Sequence, residues 1–291
     1  MAYWHDIYNF SRSIEHEFKF AGHYGAKGEK RAKKEKATPE QIAKQNLRNK
    51  ETRMRRLMKA NFEANDLWCC CKYPKGIRLP LQEVKKDKER FLRYLRQEYK
   101  KRGVPFKWVA RLEVGERGGI HFHILINRIW TAQTDMIISG AWSKALEKST
   151  MQGKNNTDGL VDWKATYDTG GFKELAEYIC KQPEPDTPEY EQLSLFPREE
   201  QKILLSITSS RNLIRPEPER KYYSRRTMRD LVENGPKPTP GYYIDMDSLY
   251  IGENPYTGYS YCKYTEIKIE ESRKKTRCGA TFHPPRGDDI I

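Results

Sequence analysis

The chain has 291 residues, with 54 Lys or Arg against 40 Asp or Glu, a formal net charge of +14 and a pI near 9.4. Aromatic residues make up 12% of it, too many for a wholly disordered chain, and the length predicts one or two domains. No run approaches the roughly 18 apolar residues of a membrane span, the first residues lack the apolar core of a secretory signal, and six cysteines, three of them consecutive, do not suggest a disulfide framework. We therefore expect a soluble cytoplasmic protein with no membrane partner.

Positive charge is concentrated near the start of the chain. Residues 1–60 contain 15 Lys or Arg against 7 Asp or Glu, and aromatic residues lie among them. This excess favours a polyanionic partner, because each neutralised phosphate releases condensed counterions. The alternative is a solvated surface that only keeps the protein soluble. We expect residues 1–65 to form a basic arm and helix that bind nucleic acid.

Helices and strands are predicted in a mixed order. The first 38 residues show no clear periodicity, and residues 27–36 resemble an exposed basic loop. Thr38, Pro39 and Gln41 are typical of a helix start, and that helix should end near Ala60. The further predicted elements are a buried strand at 67–73, a helix at 82–102, strands at 106–114 and 120–127, a helix at 134–148, a strand at 160–165, a helix at 172–181, an acidic loop at 183–197, a strand at 203–208, a helix at 225–231, and strands at 242–251 and 259–269 around a turn at 254–258.

This order of elements predicts an α+β fold. Strands joined by hairpins rather than by regular crossovers favour a central antiparallel sheet covered by helices. We expect three segments: the basic region at 1–65, a central domain at 66–215 and a β-rich extension at 216–291.

The most informative motif is a pair of histidines on a strand, His121 and His123. Side chains two residues apart share one face of a strand, and apolar residues alternate with the pair. If the preceding hairpin has the three-residue loop Glu116-Arg117-Gly118, then Glu113 lies opposite His121 and Arg111 opposite His123. Glu113, His121 and His123 then converge on one divalent ion with coordination positions left open. A register shift of one residue would turn Glu113 away, and the histidines would be ordinary surface residues.

A nucleophile is expected on the following helix. Tyr178 lies on the flank of that helix's apolar face, and Lys181 lies close beside it. Lys181 could stabilise a phenolate, whose unperturbed pKa near 10 makes it a poor nucleophile at neutral pH. With 18 tyrosines in the chain, the pair alone is weak evidence.

These residues together resemble a known family. The segment 118–127, with its His121-Phe122-His123, and the later Tyr178-Ile179-Cys180-Lys181 resemble the HUH (His-hydrophobe-His) endonucleases. The most similar members are single-tyrosine rolling-circle replication initiators of bacterial plasmids and phages, since position 182 is Gln and no second tyrosine follows. The resemblance covers residues 66–215 and implies an HUH nuclease core of the ferredoxin-like or RRM-like type.

The resemblance implies a site, a reaction and partners. Glu113, His121 and His123 would hold Mg²⁺ or Mn²⁺, Tyr178 would be the nucleophile, and Lys181 would assist it. The implied reaction is origin-specific nicking and rejoining of single-stranded or locally melted DNA through a 5′-phosphotyrosine. Without a nucleotide-binding loop in the chain, a separate host helicase and polymerase would act with it. The candidate DNA contacts are Arg111, Arg53, Arg55, Arg56, Arg211 and Asn212.

Two departures and two alternatives accompany this interpretation. The family's first motif is a strand that ends in Thr or Ser residues, and here Cys69-Cys70-Cys71 takes that place. The cysteines are too close together for a CxxC metal site, and Cys180, Cys262 and Cys278 are isolated, so we expect them to pack rather than to bind metal. A mobilisation relaxase or a single-tyrosine transposase would share the same site. A non-catalytic single-stranded nucleic-acid-binding protein would leave the histidines on the surface and Tyr178 in packing.

Overall fold

The computed structural model describes residues 2–21, 38–149, 160–167, 171–253 and 259–269. They belong to two compact units, residues 32–217 and residues 1–31 with 218–291. The expected basic loop at 27–36 and the expected turn at 254–258 lie outside the described residues. The elements are β1 (Ala2–Asn9), β2 (Ser13–Phe20), α1 (Pro39–Asn61), β3 (Leu67–Cys71), α2 (Leu81–Lys101), β4 (Trp108–Val114), β5 (Ile120–Ile126), α3 (Thr134–Glu147), β6 (Val161–Ala165), α4 (Lys173–Cys180), α5 (Pro188–Ser194), α6 (Arg198–Leu204), β7 (Ile207–Ser209), β8 (Glu219–Ser224), α7 (Arg225–Asn234), β9 (Tyr242–Glu253) and β10 (Ser260–Lys268).

The contiguous unit, residues 32–217, is built on a five-stranded antiparallel sheet. Its strand order is β6-β3-β5-β4-β7, so the histidine strand β5 is central. Helices α2 and α3 cover one face, where Phe91 packs edge-on against Phe122 and Trp142. Helices α1 and α4 supply the apolar residues on the other face, including Met58 and Ile179. The predicted α+β fold with a helix-covered antiparallel sheet is confirmed.

The start of α1 follows the predicted capping pattern. The side chain of Thr38 accepts a hydrogen bond from the backbone N–H of Gln41 at 3.3 Å. The side chain of Gln41 in turn accepts one from the backbone N–H of Thr38 at 2.9 Å, and Pro39 takes the first helical position. These reciprocal bonds satisfy two N–H groups that a helix start otherwise leaves without partners.

Two predicted segments of this unit differ from the structure. The acidic loop at 183–197 contains the helix α5, which Thr187 caps and which buries Leu193. The strand at 203–208 is replaced by the end of α6, which buries Leu204, and by the shorter strand β7. In both places a proline at a helix start and one buried leucine outweigh the local composition.

The other unit joins the two ends of the described chain in one sheet. Its strand order is β8-β1-β2-β10-β9, with every pair antiparallel. Helix α7 contributes Met228 to a core that includes Phe18 and Tyr264. The expected division at residues 65 and 215 therefore differs from the structure, because residues 2–20 are strands of this sheet rather than part of an arm.

Buried polar residues explain why β1 and β2 show no periodicity in the sequence. The buried imidazoles of His5 and His16 bond to each other, with 2.8 Å between Nε2 of His5 and Nδ1 of His16, and Nε2 of His16 lies 3.6 Å from Glu266. Asp6 is also buried and pairs with Arg220 and Lys19. Burial is the largest cause that lowers the pKa of His5, to about 4, and the neighbouring His16 adds to it.

None of the helices in the described ranges combines the length and the apolar character needed to cross a bilayer.

Candidate active site

The site is built on the hairpin of β4 and β5, whose register is the predicted one. Glu113 pairs with His121 and Arg111 with His123. The loop has three residues, since the N–H of Gly115 bonds to the carbonyl of Gly119 at 2.9 Å. Its last residue, Gly118, has φ of 72°, a left-handed conformation that glycine adopts without strain. Local turn chemistry therefore fixes which four side chains share this face.

The neighbouring strand β3 adds a cysteine to the same face. Cys70 pairs with His123, whereas Cys69 and Cys71 point to the opposite face and are buried in the core. The Sγ atom of Cys70 lies 3.9 Å from Nε2 of His123. Cys69 and Cys71 pack as predicted, but Cys70 lies in the site, which the sequence interpretation missed.

Cys70, His121 and His123 form a compact group of donor atoms. One ligand atom from each of the three lies within 4.8 Å of the other two. Glu113 lies at the edge of this group, with its Oε2 atom 2.9 Å from Nε2 of His123 and its side chain 29% exposed. The described residues thus place the predicted Glu113 and both histidines together, and Cys70 completes the tightest set of three.

The charges around His123 favour a cation at its Nε2 atom. Burial by itself lowers the pKa of His123, but hydrogen bonds to Cys70 and Glu113 outweigh burial and raise that pKa to about 9. The pKa of Glu113 is lowered: burial opposes the shift, and the contacts with His123, Arg111 and Tyr178 produce it. At neutral pH Glu113 is therefore a carboxylate beside a protonated imidazole.

Tyr178 lies on α4 with its hydroxyl directed to Glu113. The hydroxyl donates a hydrogen bond to Oε2 of Glu113 at 3.1 Å. Its ring meets those of Trp68 and His123 edge-on, at centroid distances of 5.9 and 5.6 Å, and the residue is 43% exposed. Burial, followed by the Glu113 carboxylate, raises the pKa of Tyr178 to about 12. The phenol is thus held in its neutral form, next to a group that can accept its proton.

Arg111 takes a different position from the expected phosphate contact. It is 5% exposed, and one of its guanidinium nitrogens donates to the carbonyls of Tyr178, Ile179 and Lys181 at 3.3, 3.1 and 2.6 Å. These are carbonyls of the kind that a helix end leaves without intrahelical partners. Arg111 therefore ties the end of α4, and with it Tyr178, to the hairpin of β4 and β5.

Lys181 follows the last residue of α4 and has an extended backbone, with ψ of 136°. Its side chain is exposed, while its carbonyl accepts from Arg111. The hydrogen bond found at the Tyr178 hydroxyl goes to Glu113, so the assignment of Lys181 as the group beside the phenol stays a prediction.

Two further cations lie near His121. Lys72 pairs with Asp162 across β3 and β6, and Arg78 donates to the carbonyl of Arg117 in the hairpin loop at 2.9 Å. The pKa of His121 is lowered, chiefly by burial, then by His123, with Lys72 and Arg78 contributing. Neither cation was a predicted site residue, because their proximity depends on pairings between distant segments.

The remaining predicted DNA contacts have different environments. Arg53 is exposed on α1 and bonds to the carbonyl of Asn49, and Arg55 is partly exposed. Arg56 is buried, which does not suit a contact with a phosphate backbone. Arg211 is exposed in the loop after β7, whereas Asn212 donates to the carbonyl of Phe106 and so anchors that loop.

The chemistry of the donor set fits a divalent metal ion. Two imidazoles, a thiol and a nearby carboxylate are the groups that bind such ions in proteins, and three protein ligands leave a coordination position open. The ion itself is not defined by these residues alone.

Comparison with known proteins assigns the central part of the chain. Residues 66–183 match the family model described as Replication-associated protein ORF2/gene 2 protein. No curated protein matches the chain. The match spans β3 to the end of α4 and so contains the donor group, Glu113 and Tyr178. It implies a role in rolling-circle DNA replication and in binding DNA at an origin. Residues 66–183 therefore form a domain of this replication-associated protein family, within the Rep-like HUH superfamily.

Proposed function

We propose that this protein initiates rolling-circle replication by nicking one DNA strand at an origin and later rejoining it through a covalent bond to Tyr178. The observation that carries the proposal is the hydrogen bond from the Tyr178 hydroxyl to Glu113, 3.1 Å long, beside the donor group of Cys70, His121 and His123. A packing tyrosine on a binding surface needs neither the carboxylate nor the donors. The geometry therefore favours an enzyme over a non-catalytic binding module.

The proposed step is an in-line transesterification. The phenolic oxygen of Tyr178 attacks the scissile phosphorus, and its proton passes to Oε2 of Glu113 along the existing hydrogen bond. The bond from phosphorus to the 3′ oxygen breaks, and that oxygen leaves as a hydroxyl after taking a proton from water. The 5′ phosphate stays on Tyr178, so a later 3′-hydroxyl can reverse the reaction without an external energy source.

His121 and His123, with Cys70 or Glu113, would hold the divalent ion that the family implies. A bound ion would stabilise the charge that develops on the phosphate. Without that charge stabilisation, a neutral phenol whose pKa is about 12 is a weak nucleophile. Arg111 holds the end of the helix that carries the tyrosine, which pre-organises the attack.

Binding of the DNA backbone is assigned to exposed cations. Arg53 and Arg55 on α1 and Arg211 after β7 would neutralise phosphates outside the reacting centre. Lys72 and Arg78, which lie near His121, are closer to the scissile phosphate in this proposal. Arg56 and Arg111 are left out, because their side chains are buried.

The direct test is formation of a covalent protein–DNA adduct. The full chain is incubated with a library of single-stranded DNA and Mn²⁺, and adducts are resolved on a denaturing gel. We expect an adduct with the wild type, none with Tyr178→Phe, and none without a metal ion. Tyr190→Phe is the matched control, since Tyr190 lies in the same unit and is 44% exposed, close to the 43% of Tyr178.

The outcomes separate the possible functions. Sequencing the trapped DNA identifies the site, and a replicon's own origin would distinguish an initiator from a relaxase or a transposase with the same chemistry. Tight DNA binding without an adduct, unaffected by a chelator, would reject the enzyme. An adduct that persists in Tyr178→Phe would move the nucleophile to another tyrosine.

A further inference from the structure

The strand β3 brings one of its three consecutive cysteines to the face that carries His121 and His123. Side chains alternate along the strand, so Cys69 and Cys71 are buried among apolar residues on the opposite face. Cys70 is partly exposed and lies between two partners, His123 on β5 and Asp162 on β6. The thiol therefore has both the orientation and the access that a metal ligand needs.

The distances suit coordination through sulfur. With bond lengths of about 2.3 Å to sulfur and 2.0–2.1 Å to nitrogen, tetrahedral coordination places the two ligand atoms about 3.6 Å apart. The Sγ atom of Cys70 lies 3.9 Å from Nε2 of His123, a difference of a few tenths of an ångström. His121 completes the set within 4.8 Å. A small rotation of one side chain would bring both donors onto one ion.

We propose that Cys70 is a thiolate ligand of this site, and that the site therefore prefers a thiophilic divalent ion, of which Zn²⁺ is the type, over Mg²⁺. Mg²⁺ is a hard ion that takes oxygen ligands in octahedral geometry, whereas Zn²⁺ accepts a tetrahedral set of sulfur and nitrogen. Two histidines and one cysteine leave a fourth position, which a phosphate oxygen or Glu113 can take. This inference rests on the proposed function only in its consequence for nicking, since metal binding is measured without DNA.

Cobalt serves as the spectroscopic probe. Co²⁺ replaces Zn²⁺ in such sites, and a sulfur ligand gives a charge-transfer absorption in the near ultraviolet that nitrogen and oxygen ligands do not give. The full chain is titrated with Co²⁺, and then with Zn²⁺ in competition with a chromophoric chelator. We expect the absorption band in the wild type and its loss in Cys70→Ser.

The affinities give the second readout. We expect Cys70→Ser to weaken Zn²⁺ binding at least about 10-fold and to change Mn²⁺ binding less than about 3-fold, because oxygen ligands suit the harder ion. Cys71→Ala is the matched control: it removes the neighbouring thiol on the opposite face and should leave the band and both affinities unchanged. Circular dichroism spectra of all variants verify that they are folded, and Cys70→Ala provides a second substitution if the serine variant is not.

The two proposals can fail separately. Absence of the band in the wild type, or unchanged Zn²⁺ affinity in Cys70→Ser, would overturn the thiolate ligand, whatever the adduct experiment shows. A band that depends on Cys70, in a protein that forms no adduct with Tyr178 present, would keep the metal site and reject the nicking activity.

Discussion

Arg111 is the residue whose structural position departs most from its expected role, and replacing it separates the two. In the structure Arg111 is buried and donates to three carbonyls at the end of α4, whereas the sequence pattern suggested a phosphate contact. Arg111→Met keeps most of the side-chain volume and removes the charge and the donors. Tyr178 would then lie on a helix end whose carbonyls have lost their partner.

The expected cost follows from these contacts. Losing a buried charged group that several acceptors depend on costs about 3–5 kcal/mol, partly through the carbonyls left without a donor. Loss of the favourable charge at the helix C-terminus is part of the same figure. Since about 1.4 kcal/mol corresponds to a factor of ten, opening of α4 should become at least about 100-fold more frequent.

Hydrogen exchange measured by mass spectrometry on the peptide that contains α4 reads this opening directly. We expect exchange in α4 to accelerate in Arg111→Met, and adduct formation to fall with it, while binding of single-stranded DNA changes little. Arg111→Lys keeps the charge but presents a single ammonium group, so its effect should be intermediate. Unchanged exchange in α4 together with weaker DNA binding would refute the structural role and restore the phosphate contact.

Two further predictions concern a glycine of the hairpin and the histidine pair of the other unit. A Cβ atom at Gly115 would lie 3.0 Å from Cε1 of His121, so Gly115→Ala should displace that ring and weaken metal binding about 10-fold in a titration. Gly140→Ala, where a Cβ meets nothing within 4 Å, is its control, and equal losses in both variants would contradict the steric explanation. Because the pKa of His5 is lowered to about 4 from 6.5, the folded form binds this proton less well than the unfolded form. Its contribution, about 3 kcal/mol at most, is complete above about pH 6.5 and is lost as the pH falls towards about 4. Urea unfolding at about pH 7 and about pH 4.5 checks this, and an equal loss of stability on acidification in His5→Gln would show that other groups are responsible.

The sequence was sufficient to predict the hairpin, because its register depends on neighbouring residues. The three-residue loop and the alternation of apolar residues with His121 and His123 place Glu113 opposite His121, as the structure has it. The capping pattern at Thr38 is local in the same way. Such features need no knowledge of distant segments.

The parts that could not be predicted depend on pairings between distant segments. Cys70 enters the site through the pairing of β3 with β5, and no local signal in residues 67–71 fixes that register. Arg111 is on the predicted face, but only the packing of α4 shows that helix carbonyls, rather than phosphates, cover it. In β1 and β2, buried polar residues such as His5 and His16 replace the apolar alternation by which a strand is recognised.

The sheet that joins β1 and β2 to β8, β9 and β10 has a consequence for synthesis. The first two strands leave the ribosome early, but their partners follow only after residues 32–217 have been made. The contiguous unit can fold while the chain is still growing, whereas the β1–β2 hairpin has both edges unpaired during that time. Pairings so far apart along the chain form slowly, because a long loop must close before they contribute stability. The order of translation thus makes the domain with the histidine pair the early product and the two-ended sheet the late, aggregation-exposed step.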